Sequence, residues 1–263
     1  MISLFSAYKK NRFLIAELLK QNLFTQYKQS KFSLFWIVFN PFFQIIIWSI
    51  LHLSGFLKIG NVEVPYVIYL VSGITLWWYS FSLYESISNI YIKYTNVILE
   101  NRFDILVLVV EAIIRQTIFF MIHLAVLFVL CVIYKITFYP IAVLYPFFIV
   151  PLILFSVALG LIFATIRVLS VDFAMIFDKI FGLSLFLTPI LFKPTFNNTV
   201  LKYIIKFNPL SYLITFPRNL LLYGKSPSFF VVIFIVVLSI TSIVVAMMYF
   251  EKMKYKTIEK LLQ

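Results

Sequence analysis

Charge is scarce in this chain. Aspartate, glutamate, lysine and arginine together make up 12% of its 263 residues, about half of the roughly 25% usual in a soluble domain. Hydrophobic residues make up 63%. A soluble fold of this size would have too little polar surface to cover such an interior, which excludes an ordinary globular domain and points to lipid as the solvent. Cysteine is almost absent. Cys131 stands alone inside an apolar run, so an intrachain disulfide framework and a thiolate metal cluster are both excluded. The two histidines, His52 and His123, lie far apart in apolar runs and read as packed, hydrogen-bonded or interfacial groups.

Glycine is sparse as well. The six glycines, Gly55, Gly60, Gly73, Gly160, Gly182 and Gly224, are scattered, and no G-x-x-x-x-G-K loop is present to cradle a phosphate. Neither H-E-x-x-H nor G-x-S-x-G occurs. The sequence therefore predicts no catalytic residue, no metal site and no cofactor in this chain. If the chain does work, a partner or a gradient supplies the energy, and any ATP and magnesium would be held by that partner. The first 33 residues carry Lys9, Lys10, Arg12, Lys20, Lys28 and Lys31 among the apolar ones, which interrupts the core that a cleavable signal peptide needs.

What is abundant is long apolar runs. A spanning helix needs about 20 mostly apolar residues, and six runs qualify: Leu34 to Leu53, Tyr66 to Ile87, Ile105 to Tyr134, Ile141 to Ile166, Met175 to Phe192 and Phe229 to Phe250. The runs are continuous rather than alternating, which favours helices over a barrel. The expected fold is all-α: an amphipathic interface helix over 1–33, a six-helix transmembrane domain over 34–250, and a basic tail over 251–263. With six spans, thirteen basic residues fall on the side of the termini and seven on the other. That split places both termini in the cytoplasm.

The first segment has Ile15, Leu18, Leu19 and Leu23 on one helical arc, with Glu17, Lys20, Gln21 and Lys28 on the other. Asn22 and Gln26 break the pattern. Such a basic amphipathic segment suits the membrane surface, as an anchor or as a docking surface for a partner. The segment from Phe192 to Gly224 contains Pro194, Pro209 and Pro217. It is too polar to span and too apolar for a free loop, so short helices at or within the outer leaflet are expected.

Charges within the runs are few. Glu111 and Arg115 are four apart and share a helix face, as a structural pair or as part of a path. Glu85 lies near the end of the second run, and Asp172 and Asp178 near the start of the fifth. Trp36, Trp48, Trp77, Trp78 and Tyr79 sit near run ends, where an aromatic belt would place them. A lining against which sugars slide is the alternative.

Around the first run the chain reads Tyr27-Lys28-Gln29-Ser30-Lys31-Phe32-Ser33-Leu34-Phe35-Trp36, then Asn40-Pro41. This resembles the R-Y-x-x-S-x-L-G-x-x-W-x-x-x-x-P stretch of the membrane subunits of type-2 ABC exporters for polysaccharides such as O-antigen, capsule and teichoic acid. Gln26 and Ser33 stand where that family has arginine and glycine. Gly73 to Trp77 resembles its G-x-x-x-W. Asn96-Val97-Ile98 and Phe103-Asp104 resemble N-L-I…F-P, with Asp104 in place of proline. Asp172 matches the acid of an R-D pair, with Val171 for arginine. Thr188-Pro189-Ile190 resembles T-P-V, and Asn208-Pro209-Leu210 with Arg218 resembles N-P-[LM]…R.

The resemblance implies a homodimer that forms a channel in the bacterial inner membrane, with two ATP-binding cassette subunits beneath it. It implies an ATPase-coupling surface at Tyr94, Asn96, Ile98, Arg102, Phe103 and Asp104, with Tyr27, Lys28 and Ser30 on the interface helix beside it. Channel candidates are Trp36, Trp77, Trp78, Tyr79, Glu111 and Arg115. Pro189, Asn208, Pro209 and Arg218 mark an external re-entrant segment. The implied cargo is a lipid-linked polysaccharide on polyprenyl diphosphate, as in lipopolysaccharide biosynthesis. Membrane lipids are expected partners and nucleic acid is not. A drug, peptide or lipid cargo would suit the same architecture. A membrane-embedded transferase would need a polar catalytic cluster that the sequence lacks.

Overall fold

The computed structural model describes residues 2–25, 39, 42–43, 46–51, 53–55, 63–100, 104–192 and 199–262. All regular elements among them are helical: α1 (Ile2–Lys10), α2 (Arg12–Thr25), α3 (Tyr66–Ser88), α4 (Ile90–Lys93), α5 (Thr95–Glu100), α6 (Ile105–Ile133), a 3-10 turn (Pro140–Leu144), α7 (Tyr145–Leu169), α8 (Val171–Leu187), α9 (Thr199–Phe207), α10 (Pro209–Tyr223) and α11 (Phe229–Leu261). Four of these are long and apolar enough to cross a membrane: α3, α6, the 3-10 turn running into α7, and α11. They match the second, third, fourth and sixth expected spans. The expected first span is described only in pieces, of which residues 46–51 are helical. There Trp48 meets the ring of Phe186 edge-on at 6.2 Å.

The expected fifth span, Met175 to Phe192, is shifted in the structure. α8 starts four residues earlier, directly after Ser170, and stops at Leu187. Pro189 explains the stop, because it has no N–H for the helix ladder and disfavours helical backbone in the residue before it. The helix of the expected sixth span continues past Phe250 into the basic tail. α11 is one helix of 33 residues, and Ile258 and Leu261 in the basic tail pack on the same cluster as Ala7, Ile15 and Tyr91.

α7 is the centre of the bundle, with α3, α8, α10 and α11 packed around it, while α3 also packs on α6. The seam between α3 and α7 is built from small residues. Ser156, Gly160 and Ala164 recur every four positions on α7, and all are buried. A Cβ on Gly160 would sit 2.7 Å from Cβ of Ile87 and 3.3 Å from the Tyr84 carbonyl oxygen, so glycine sets how closely the two helices approach. Small residues permit this approach where apolar surface alone gives no drive for helices to associate in lipid. Ser156 donates its hydroxyl to the Leu152 carbonyl at 2.8 Å. It therefore accepts from Ser80, across the seam at 2.6 Å.

The amino-terminal segment is two helices, not one. They are separated at Asn11, whose side-chain amide donates to the Ala7 carbonyl at 3.2 Å. Both helices pack on α6. The apolar arc is as the sequence suggests: Ile15 is fully buried, and Leu18 and Leu19 pack on the same cluster. Glu17, Lys20 and Gln21 face outward. Residues 26–33 lie outside the described part.

Candidate functional site

α1, α2, α4, α5 and the start of α6 come together at one end of the bundle, here the proximal end. A polar knot ties them. Arg115 donates from Nε to Oε1 of Glu111 at 2.8 Å, one turn away on α6. Glu111 is fully buried. Asn22, from α2, donates to the same carboxylate oxygen at 3.1 Å and to the Tyr94 hydroxyl at 2.8 Å. Its carbonyl accepts from Nζ of Lys93 at 3.3 Å. The residue that broke the amphipathic pattern is thus the one that joins α2 to α6 and to the α4–α5 junction. Burial lowers the pKa of Lys93, and the Arg115 guanidinium acts in the same direction while Glu111 opposes it. Burial and the Glu111 carboxylate raise that of Tyr94.

The expected coupling segment, about Tyr94 to Asp104, is helical at α4 and α5, and Asp104 caps α6 by accepting from the Leu106 amide at 3.1 Å. Ile98 does not face outward. It is buried, 7% exposed, in the cluster with Ile15 and Ile105. Ile98 therefore cannot be offered to a partner, and it is a packing residue. The exposed apolar residues are Ile92, 52% exposed, and Leu99, 37% exposed, with Asn96 exposed between them. Asn96 and Leu99, three apart on α5, share a helix face, and Ile92 is exposed on the preceding α4. Arg102, Phe103, Tyr27, Lys28 and Ser30 lie outside the described residues.

A second knot holds α3, α7 and α8 together. Arg167 donates from Nη2 and Nη1 to the two oxygens of Asp178, at 2.7 and 3.0 Å. Nη2 also reaches the Ser88 hydroxyl at 3.1 Å, and the Tyr84 hydroxyl donates to Asp178 at 2.6 Å. The sequence does not announce this two-pronged arginine–carboxylate pair. The partners sit 11 residues apart on different helices, so no single-helix spacing reveals them. Glu85 is exposed beside this knot.

The aromatic candidates separate. Trp77 is 5% exposed and Tyr79 4%. Trp77 donates from its indole N–H to the Ser184 hydroxyl at 3.0 Å and stacks on Phe81 at 5.2 Å. Tyr79 stacks on Phe120 at 4.3 Å and shares a 2.7 Å hydrogen bond with Thr117. Both pack between helices among the described residues. Half-buried Trp78 meets His123 edge-on at 5.8 Å. His123 donates from Nδ1 to the Phe119 carbonyl at 2.8 Å, as a packed histidine would. Trp36 and His52 lie outside the described residues. A wall of rings continues from Tyr84 to Phe163 and Phe177, the last two stacked at 3.9 Å.

At the opposite, distal end, Thr188-Pro189 and the short helices α9 and α10 meet. Asn208 caps α10 by accepting from the Leu210 amide at 3.0 Å, with Pro209 in its first turn. Its side-chain amide donates to the Thr188 hydroxyl at 3.0 Å. Arg218, fully buried, donates from Nη1 to the Pro189 carbonyl at 2.7 Å and lies 4.0 Å above the Tyr69 ring. Pro189, Asn208, Pro209 and Arg218 thus form one junction. No cluster of histidine, cysteine, aspartate or glutamate suited to a metal is found among the described residues.

No family model matches the chain. Over 251 residues it is 23% identical to the O-antigen export system permease protein RfbA of Klebsiella pneumoniae, a match that covers 94% of each chain. The similarity runs almost the whole length of both chains.

Proposed function

We propose that this chain is the channel-forming membrane subunit of an ATP-driven exporter of the ABC type. Its cargo would be a polysaccharide carried on a polyprenyl diphosphate lipid and moved outward across the bacterial inner membrane. The observation that carries this reading is the end-to-end similarity to an O-antigen export permease. Four membrane-length apolar helices support it, and so does a sequence with no phosphate-binding loop, which leaves ATP hydrolysis to a partner.

In this reading two copies enclose the passage, each with six spans and both termini in the cytoplasm. Two ATP-binding subunits dock at the proximal end, on the exposed Ile92 of α4 and Asn96 and Leu99 of α5. Closure of the ATPase pair pushes on α4 and α5. The knot of Asn22, Tyr94, Glu111 and Arg115 makes α2 and α6 move with them. The Pro189–Arg218 junction shapes the outer mouth.

The test is purification in mild detergent together with the ATP-binding protein encoded beside this chain, read by mass and by ATP turnover. A complex of two copies of each is expected. In inverted vesicles, ATP should drive the lipid-linked polymer inward. Repeated isolation of this chain without any ATPase partner would overturn the proposal.

A further inference from the structure

Two prolines inside helices, Pro151 in α7 and Pro217 in α10, line one groove at the distal end. Each lacks the N–H that would bond the carbonyl four residues back, so each helix loses a rung of its ladder there. The groove has a volume of about 190 Å³, more than the roughly 150 Å³ of an apolar void that admits benzene. Phe147 of α7, Tyr212 and Phe216 of α10, and Val232 and Val236 of α11 form much of its wall. Tyr212 is the one polar side chain among the lining residues, and its hydroxyl is already engaged, donating to the Lys206 carbonyl at 2.8 Å.

Phe147, Val232 and Val236 lie two to seven residues from the starts of α7 and α11, at Tyr145 and Phe229, roughly 3–11 Å along the helix axis. The groove therefore occupies the outermost turns of two helices that are long and apolar enough to cross a membrane. Beyond it along α11, Phe234, Val237, Ile240 and Val244 are exposed, so the apolar lining continues into a face that acyl chains can cover.

The rim of this groove is basic. Residues 193–228 include Lys193, Lys202, Lys206, Arg218 and Lys225 and no acid. Arg218 is buried in the distal junction, and Lys225 pairs with Glu63 at 3.6 Å. Lys202 and Lys206 are exposed on α9 and form no ion pair with another described residue. Being four apart, they share a face of that helix. Tyr203 and Phe207, both exposed, stack on the neighbouring face at 6.5 Å, as aromatic side chains do at the edge of a membrane. The bond from Tyr212 fixes Lys206 to the wall of the groove.

The geometry points to a site for one resident anionic phospholipid: its phosphate meets Lys202 and Lys206, and the upper part of one acyl chain lies in the groove between α7, α10 and α11. Lysine suits this task, because a flexible stem can follow a headgroup while its methylenes cover apolar surface. Basic residues beside a bilayer attract anionic headgroups, and the groove adds burial of apolar chain. The lipid would brace the two proline-weakened helices against α11. None of this depends on the export reading.

The full chain in mild detergent is titrated with dioleoyl phosphatidylglycerol or dioleoyl phosphatidylcholine, and bound lipid is counted by native mass spectrometry. One phosphatidylglycerol per chain, retained at least tenfold better than phosphatidylcholine, is expected. Lys202→Gln together with Lys206→Gln, both at exposed positions, should abolish that preference. Val236→Trp, which fills the groove from a residue that is 39% exposed, should lower phosphatidylglycerol retention about tenfold. Val244→Trp, two turns farther along α11, should leave it unchanged. Equal retention of the two lipids would overturn the proposal, as would normal retention by Val236→Trp. Displacement of the lipid by an equal concentration of glycerol phosphate would overturn the acyl-chain site and leave a headgroup patch. Tenfold tighter binding of a polyprenyl phosphate would overturn the assignment to a resident phospholipid and give the groove to a cargo lipid.

Discussion

Nδ2 of Asn22 lies 3.1 Å from Oε1 of Glu111, a contact between residues 89 apart in sequence. It fastens the amino-terminal helices to the start of α6 by a hydrogen bond to a carboxylate, a kind worth roughly 1.5–3 kcal/mol. Asn22→Leu keeps the size and apolar fit of that face but removes the bond. Amide exchange in α1 and α2 should then quicken on the order of tenfold, with α7 unchanged. Hydrogen-exchange mass spectrometry in detergent reads this directly. Unchanged protection of α2 would show that apolar packing alone holds it.

Arg115 and Glu111 form a buried pair, and each partner is costly to leave alone. Arg115→Ala strands a carboxylate that is 0% exposed, a change on the order of 3–5 kcal/mol. Arg115→Lys keeps a cation within reach and should cost less. Replacing both Glu111 and Arg115 by leucine should be milder than Arg115→Ala, since no lone charge remains. Folded yield and thermal midpoint across these variants make a double-mutant cycle. Additive effects would place the two charges in separate environments.

The proximal face gives a contrast between adjacent residues. Ile98 is 7% exposed and Leu99 is 37% exposed. Ile98→Asp buries an unpaired carboxylate and should abolish folded protein. Leu99→Asp and Ile92→Asp should leave a monodisperse protein that no longer stimulates, or no longer holds, its ATPase partner. Size-exclusion profiles and ATP turnover distinguish the cases. A well-folded Ile98→Asp chain would contradict the burial, and full coupling in the Ile92→Asp, Leu99→Asp double variant would move the docking face elsewhere.

Much of the helical plan is legible in the sequence, because a helix that faces lipid must be apolar along its whole length. The ends of α3 and α6 fall within one residue of the hydropathy limits. The start of α8 does not, because Val171, Asp172 and Phe173 mix polarity just after the break at Ser170. Side-chain partners across helices were largely hidden. Glu111 with Arg115 could be read, since four residues make one turn. Arg167 with Asp178 could not, because the break at Ser170 separates their helices. Asn22 looked like a flaw in an amphipathic face until its partners on α6 and at Tyr94 were seen.

The distal junction rests on one buried cation and the space left for it. Arg218 donates to the Pro189 carbonyl at 2.7 Å. Beside it, a Cβ on Gly73 would lie 3.1 Å from Cγ2 of Ile190 and 3.3 Å from Nη1 of Arg218. Arg218→Met fills similar volume but leaves the carbonyl without its donor, at a cost of about 1–3 kcal/mol. Arg218→Lys retains charge yet loses the planar stack on Tyr69, so it should recover only part of the loss. The thermal midpoint should fall by roughly 2–10 °C for Arg218→Met. Gly73→Val, which pushes on Ile190 and Arg218 together, should fall further than Gly73→Ala. If the clip works as one unit, Gly73→Val combined with Arg218→Met will cost less than the sum of the two, because the valine displaces a guanidinium that the second change has already removed. Strict additivity would mean that Gly73 and Arg218 act on Pro189 independently.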